Sequence, residues 1–285
     1  MRYLFVLIFF SLPIMAEELK ILTWNTFLIP PPWNTTKQKE RTNQMVEKLP
    51  TFNHDMMFFQ ETFFDKKRKL LMTALEKTHP YMAVPVKGKK IKQIQDSGLF
   101  IASKLPIEVL DQVIFDDCVH SDCLSSKSAI LVEVTIANNK KAQMINTHLQ
   151  AWNDEKAIQV RKNQLQQIKE MMARFEKPGV PQFLIGDLNI DGKIDAEYSG
   201  ALEFMKMTST PLNGDLLATN GFSTEGCFKN PGGASQGEWL DHVWIKENGA
   251  KANIQYKKVL PILGVIRSKQ CPLSDHYAVE SLIQL

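Results

Sequence analysis

The stretch Gln182-Phe183-Leu184-Ile185-Gly186-Asp187-Leu188-Asn189 limits what this chain can fold into more than any other. An apolar run of strand length ends in glycine, and Asp187 and Asn189 then follow two positions apart. On an extended backbone their side chains leave the same side. A carboxylate and an amide at the mouth of a buried strand can hold a hard cation or orient a water, and neither is a natural core residue. The competing reading is an Asx-type turn, since both residues are ordinary turn formers.

The same pattern recurs along the chain. The β-rich run Leu19-Lys20-Ile21-Leu22-Thr23-Trp24 delivers Asn25, and the prolines at 30 to 32 then stop regular structure. Residues 55–59 form a second strand leading into Gln60-Glu61. From Gly98 the chain is β-rich at 99–102, 109–115, 129–136 and 142–146, and Asn138-Asn139 marks a hairpin that pairs the last two antiparallel. The second of those two ends in Thr147-His148. Residues 239–245 read as a strand with alternating faces and Asp241 near its start, and Ser274-Asp275-His276 precedes a terminal strand over 277–285. Between these lie a surface helix over 37–49, a helix through Leu71, Ala74, Leu75 and Thr78 ended by Pro80, and a short helix from Tyr198 to Met205. The longest helix is capped by Asn153 or Asp154 and carries the stripe Ile158, Leu165, Ile168, Met172 and Phe175. Arg161 falls inside that stripe, where it must find an acid, a carbonyl or a phosphate.

At 285 residues and 44% hydrophobic content the chain can bury one large core, and no linker or repeat divides it. Residues 1–16 have a basic start, a short apolar block and Ala16 before two glutamates. This is the pattern of a secretory signal, with retention as a lipid-facing anchor the alternative. Residues 17–285 then form a single catalytic domain, secreted or periplasmic. Loss of Arg2 with the signal lowers the formal charge from +3 to +2, which argues against strong nonspecific nucleic-acid binding. Lys87, Lys89, Lys90 and Lys92 form a local exception, a solvated loop or a phosphate contact. Cys118, Cys123, Cys227 and Cys271 suit an oxidising compartment. Of three possible pairings, Cys118 with Cys123 and Cys227 with Cys271 is favoured, because the first two are too close in sequence to avoid one another. No spacing suggests zinc.

Six polar sets thus stand at strand ends: Asn25, Glu61, His148, Asp187 with Asn189, Asp241, and Asp275 with His276. That inventory is the one needed to hydrolyse a phosphodiester with a divalent metal. Oxygen donors suit Mg²⁺, and two histidines suit proton transfer on either side of phosphorus. The chain resembles the endonuclease/exonuclease/phosphatase superfamily, in order, at Thr23-Trp24-Asn25, Gln60-Glu61, Ser97-Gly98-Leu99 with Ser103-Lys104-Leu105-Pro106-Ile107, Thr147-His148-Leu149, Gly186-Asp187-Leu188-Asn189, Leu240-Asp241-His242-Val243 and Ser274-Asp275-His276. Within it the chain looks most like the secreted bacterial neutral sphingomyelinases, through Phe64-Asp65, Cys118 to Asp122 with Leu124 and Lys127, Gln150-Ala151 with Arg161 and Gln164, and Glu197-Tyr198.

The resemblance implies a four-layered α/β sandwich, DNase-I-like, with two stacked mixed β-sheets flanked by helices and the site at one rim. It implies Asn25 and Glu61 as ligands of the principal Mg²⁺. Asp187 and Asn189 would lie near the phosphate or a second ion, and His276, counted also among the metal ligands, would be oriented by Asp241 to activate water. His148 would stabilise phosphoryl oxygens or assist the leaving group. Arg161, Asp275, Asp122 and Lys127 are left between a phosphate contact and a structural role. One or two Mg²⁺ ions are expected, with Mn²⁺ or Co²⁺ as substitutes. The implied substrate is a phospholipid headgroup, sphingomyelin first, met at a membrane surface by a peripheral monomer; the alternative is a secreted nuclease of the same fold. Where the sphingomyelinases often carry an aromatic membrane hairpin, this chain has the aliphatic stretch 259–266, either a lipid-dipping loop or a buried strand broken by Pro261.

Overall fold

A computed structural model describes residues 18–29, 36–86, 95–221, 227 and 237–285. The signal-like segment and the lysine cluster therefore lie outside the described residues. In chain order the strands are β1 (Glu18–Asn25), β2 (Met56–Gln60), β3 (Tyr81–Ala83), β4 (Phe100–Ser103), β5 (Ile107–Ile114), β6 (Ser128–Thr135), β7 (Lys141–His148), β8 (Gln182–Asp187), β9 (Leu212–Asn213), β10 (Asp241–Lys246), β11 (Asn253–Leu260), β12 (Leu263–Ile266), β13 (Lys269–Pro272) and β14 (Ala278–Gln284). The helices are α1 (Gln38–Lys48), α2 (Asp65–Leu75), α3 (Glu155–Phe175) and α4 (Asp195–Met205).

Seven strands form one mixed sheet in the order β3-β4-β2-β1-β14-β11-β9, and five form a second in the order β10-β8-β7-β6-β5. The sheets stack through a shared core that includes Ile21, Phe58, Ile101, Val132, Met144, Ile185 and Val243. The outer face of the first packs Leu22, Trp24 and Phe59 against Met45 and Leu49 of the α1 region and Leu71 and Leu75 of α2. The outer face of the second packs Ile145, Leu184 and Trp244 against Leu165, Ile168 and Met172 of α3 and Met205 of α4. This is the expected four-layered DNase-I-like sandwich. Strands covered on both faces need no polar alternation, which is why β2 and β8 read as continuous apolar runs. The alternating faces read for β10 hold, and cover on both sides buries each of them: Asp241 to Ile245 are all buried, because the outer face meets α3 and α4 instead of water.

Asp154 caps α3 by accepting from the amides of Lys156 and Ala157. Asn138 and Asn139 take positive φ in the β6–β7 connection, and the two strands pair antiparallel. Cys118 pairs with Cys123 and Cys227 with Cys271, the favoured arrangement. The 259–266 stretch is strand broken at Pro261, one of the two readings expected of it, and is only partly buried. It ends β11 and then forms one arm of a β12–β13 hairpin turned at Arg267 and Ser268, both at positive φ. Ile262 and Ile266 are buried while Val265 is 62% exposed, and the Gln44 side chain of α1 bonds both the N–H and the carbonyl of Val265. Among the described residues no helix is long and apolar enough to cross a membrane.

Candidate active site

The period of two along a strand builds the site. The residues that face the other sheet run Ile21, Thr23, Asn25 on β1; Met56, Phe58, Gln60 on β2; Met144, Asn146, His148 on β7; Phe183, Ile185, Asp187 on β8; and Ile245, Val243, Asp241 backwards along β10. Each series starts apolar in the middle of the sandwich and turns polar at one rim. Register then aligns the ends: Asn25 pairs with Gln60, His148 with Asp187, and Asp241 with Asp187. Gly186, at φ 136, lets β8 come close enough, since a Cβ there would lie 2.0 Å from the Thr147 carbonyl oxygen.

Asn25 sits at the centre. Its amide nitrogen donates to Glu61 Oε1 at 3.0 Å and to Asp187 Oδ2 at 2.9 Å, and its oxygen accepts from the Phe27 amide at 3.1 Å. His276 Nδ1 lies 2.8 Å from Asp241 Oδ2, and its Nε2 lies 3.8 Å from Asp187 Oδ2. His148 Nε2 stands 3.5 Å from the same Asp187 oxygen and 3.9 Å from Glu61 Oε1. Asp275, beside His276, accepts from Ser274 Oγ at 3.3 Å. Asn25, Asp187, Asp241, Asp275, His148 and His276 are all buried, and the Glu61 carboxylate is 18% exposed.

Electrostatics divides these groups. Burial, with Asp275 nearby, pushes the Glu61 carboxyl up to about 7 against the pull of Asn25 and Lys127, and burial raises Asp187 to about 6. Burial likewise raises Asp275. Burial alone would lower His276, yet the charges of Asp241 and Asp187 and the bond to Asp241 hold it well above its ordinary value. No carboxylate hydrogen-bonds His148 as Asp241 does His276; Asp187 and Glu61 stand 3.5 and 3.9 Å from its Nε2 and are themselves held toward the neutral form. Burial, Lys127 and His276 hold it well below its ordinary value, so it is the neutral imidazole of the pair.

Asn189 departs from the expected geometry. Strand β8 ends at Asp187, Asn189 takes φ 51, and its amide N–H bonds Asp187 Oδ1 at 3.0 Å, an Asx turn. Its side chain therefore does not share a strand face with Asp187 and donates instead to the Leu149 carbonyl at 3.1 Å. The turn and the functional reading are thus both present: the turn spends Oδ1 of Asp187 and leaves Oδ2 to Asn25 and the two histidines. Arg161 is tied to Glu197 through both carboxylate oxygens and to the carbonyls of Gln150 and Trp152, which uses it to fix the loop after β7. Asp122 holds the Ala151 amide at 2.8 Å and pairs with Lys127 Nζ at 3.0 Å, while Lys127 also donates to the Leu149 carbonyl at 2.7 Å. His242, two residues into β10, packs among the rings of Tyr198, Trp239 and Trp244 and bonds the Ile190 carbonyl, away from the rim.

Sequence reading missed Gln60 and Asn146. The Gln60 amide donates to Asn146 Oδ1 at 2.8 Å across the sheets, and Asn146 donates to the carbonyls of Phe59 and Phe100. This buried bridge joins the strand that carries Glu61 to the strand that carries His148. The signal was present: each residue stands one or two positions before a site residue, at a strand position where a core residue belongs.

Buried oxygen donors whose ionised forms are disfavoured gain most from a divalent cation, so the set fits Mg²⁺ on chemistry. One ligand atom each from Asp187, Asp241 and His276 lie within 4.8 Å of one another, with Glu61 and Asn25 adjoining Asp187.

The model of the endonuclease/exonuclease/phosphatase family matches residues 22–276. A relative from Leptospira interrogans named sphingomyelinase C 2 is 29% identical over 297 residues, covering 93% of this chain and 46% of its own. One from Bacillus cereus named sphingomyelinase C is 26% identical over 271 residues, covering 86% and 80%. The chain spans between about a third and a half of the length of the Leptospira relatives it matches. Among solved structures, a beta toxin mutant from Staphylococcus aureus with bound magnesium ions superposes with a TM-score of 0.70 at 21% identity, covering 93% of this chain and 99% of that one.

Proposed function

We propose that this chain, which belongs to the endonuclease/exonuclease/phosphatase family, is an exported Mg²⁺-dependent phosphodiesterase that hydrolyses a phospholipid headgroup, sphingomyelin to ceramide and phosphocholine. The observation that carries it is the convergence on one rim of the His276–Asp241 pair, a neutral His148, the buried carboxylate of Asp187 and the partly buried one of Glu61. The names of the Leptospira and Bacillus relatives support the lipid, and the magnesium of the beta toxin structure supports the cation. Two disulfides support an oxidising compartment. The enzyme acts as a monomer at a membrane surface.

Glu61, Asp187 and the Oδ1 of Asn25 would hold the cation. Bound there, it supplies positive charge that offsets charge developing on the phosphoryl oxygens and lowers the pKa of water. The chain's own groups do the rest. Asp241 fixes the His276 ring through Nδ1, leaving Nε2 as the atom that exchanges a proton with water. His148, held neutral, offers Nε2 to a phosphoryl oxygen or to the leaving alcohol. The Gln60–Asn146 bridge keeps the two sheets, and so the two halves of the site, in fixed register.

Sphingomyelin liposomes with Mg²⁺ provide the test. Phosphocholine release is expected from the native chain, with a loss of about 10²–10⁴-fold in His276→Ala and comparable loss in Asn25→Ala. Inactivity on every choline lipid, with the metal bound, overturns the substrate assignment.

A further inference from the structure

Arg41 lies on α1, a helix whose position on the outer face gives it no evident part in the chemistry, yet its side chain is wholly buried. A guanidinium in that position must place five N–H donors. Nε donates to the Thr36 carbonyl at 2.7 Å. Nη1 donates to the carbonyls of Thr26 at 2.9 Å and Leu273 at 2.8 Å, and Nη2 to the Phe27 carbonyl and the Thr36 hydroxyl. The planar group also lies over the Phe27 ring, 5.5 Å from its centroid.

These acceptors belong to two particular segments. Thr26 and Phe27 directly follow Asn25, and Leu273 directly precedes Ser274-Asp275-His276. The segments are bound to each other as well, since Ser274 Oγ donates to the Asn25 carbonyl at 2.7 Å and the Trp24 indole to the His276 carbonyl at 3.0 Å. A chain of contacts then reaches the reacting groups. Arg41 holds the Phe27 carbonyl, the Phe27 amide at φ 51 holds Asn25 Oδ1, and that hold aims the Asn25 amide nitrogen at Glu61 and Asp187. The positive φ of Phe27 is a conformation that a bulky L-residue adopts only under constraint, and the fork of Arg41 on its carbonyl is one such constraint.

We infer that Arg41 is a positioning residue: its hydrogen bonds to the carbonyls of Thr26, Phe27 and Leu273 hold the segment after Asn25 and the segment before His276 against each other, so that Asn25, Glu61 and Asp187 are assembled before cation or substrate arrives. The segments that bear these acceptors also pack against Met45 and Leu49 of the α1 region. Arg41 thus bonds the two segments that enter the site as well as the Thr36 turn that leads into α1. The consequence for turnover rests on the metallohydrolase reading above, whereas the consequence for the metal-free protein does not.

Arg41→Lys keeps the charge but replaces a rigid five-donor fork with a single ammonium, which cannot hold both segments. Hydrogen exchange of the metal-free protein, read by mass spectrometry, should quicken about tenfold over residues 24–28 and 272–277 with residues 39–48 and 182–187 unchanged. Mn²⁺ affinity, read by electron paramagnetic resonance, should weaken by about tenfold, and kcat on a short-chain sphingomyelin should fall while KM holds. Thr36→Val removes one acceptor, preserves the fork, and should quicken exchange over 24–28 by about two- to threefold, which keeps the inference open to test if the lysine variant does not fold. Unchanged exchange in the two segments, or an equal rise across α1, overturns it. If the native chain binds no Mn²⁺, the metallohydrolase reading fails and the exchange data still decide the role of Arg41.

Discussion

The two ends of β7 and β8 treat buried acid in opposite ways. At the end where β7 begins, Glu133 of β6 is 3% exposed and receives Lys141 at 2.6 Å, Lys177 at 2.7 Å and the Gln143 amide. Burial would raise it, but those bonds outweigh burial and hold its carboxyl down to about 2. At the other end Glu61 and Asp187 are held up to about 7 and 6, with asparagine and imidazole beside them and the nearby Lys127 committed to Asp122 and the Leu149 carbonyl. One end is built so that its acid is content ionised. The other keeps acids that gain from ionising only when a further cation joins them, the usual relation between local stability and function at a site.

The largest effect should come from removing that unmet demand. Glu61→Gln keeps the shape and the acceptor for Asn25 but deletes the charge. Turnover should fall at least about a hundredfold, while the metal-free protein at pH 8 gains stability on the order of 2 kcal/mol. Kinetics and urea melts of the same preparation check both, and a variant that is both slow and less stable breaks the contrast.

Next is the pH dependence of the native chain without metal. The folded pKa of Glu61 lies above its ordinary 4.5, so its contribution is fully present below 4.5 and is lost as pH rises through about 7. Melting temperature should therefore decline over that window in chelator. Saturating Mg²⁺ should add about 2.7 kcal/mol of stability at pH 8 at a hundredfold excess over Kd, raising the melting temperature there, and should change little at pH 4.5. Equal Mg²⁺ shifts at both values would separate binding from these carboxylates.

Much of this contrast was legible in the sequence, for a local reason. Asn25, Glu61, His148, Asp187, Asp241 and His276 each follow or begin an apolar run, and strand-end placement is a short-range property. What was not legible depends on who pairs with whom. Nothing near Arg41 announces that its partners are Thr26 and Leu273, the latter 232 positions away, although Arg41, Met45 and Leu49 fall in one helical stripe, the sign that had singled out Arg161. The break at Pro261 was legible, but the hairpin of β12 and β13 was hidden because its turn residues, Arg267 and Ser268, are not the usual Asn or Gly. Asn189 was placed on the wrong side because two residues of strand and two of Asx turn have the same spacing in sequence.

The smallest effect belongs to the well-paired end. Glu133→Gln leaves Lys141 and Lys177 able to turn to water, being 44% and 49% exposed, so the cost at neutral pH is about 1 kcal/mol, well short of a stranded buried charge. Its pH signature is the reverse of that of Glu61. A folded pKa below the ordinary value gives stability that is present above 4.5 and lost as pH falls through about 2. Glu133→Gln should thus flatten the acid limb of the stability curve and leave the 4.5 to 7 limb alone, while Glu61→Gln does the converse. Gln143 and His148 stand five residues apart on one strand, roughly 17 Å. At that separation the two substitutions should add within about 0.5 kcal/mol in a double-mutant cycle. A coupling well above that figure would mean that the two ends of the strands are not electrostatically independent, and the division between a structural and a functional end would fail.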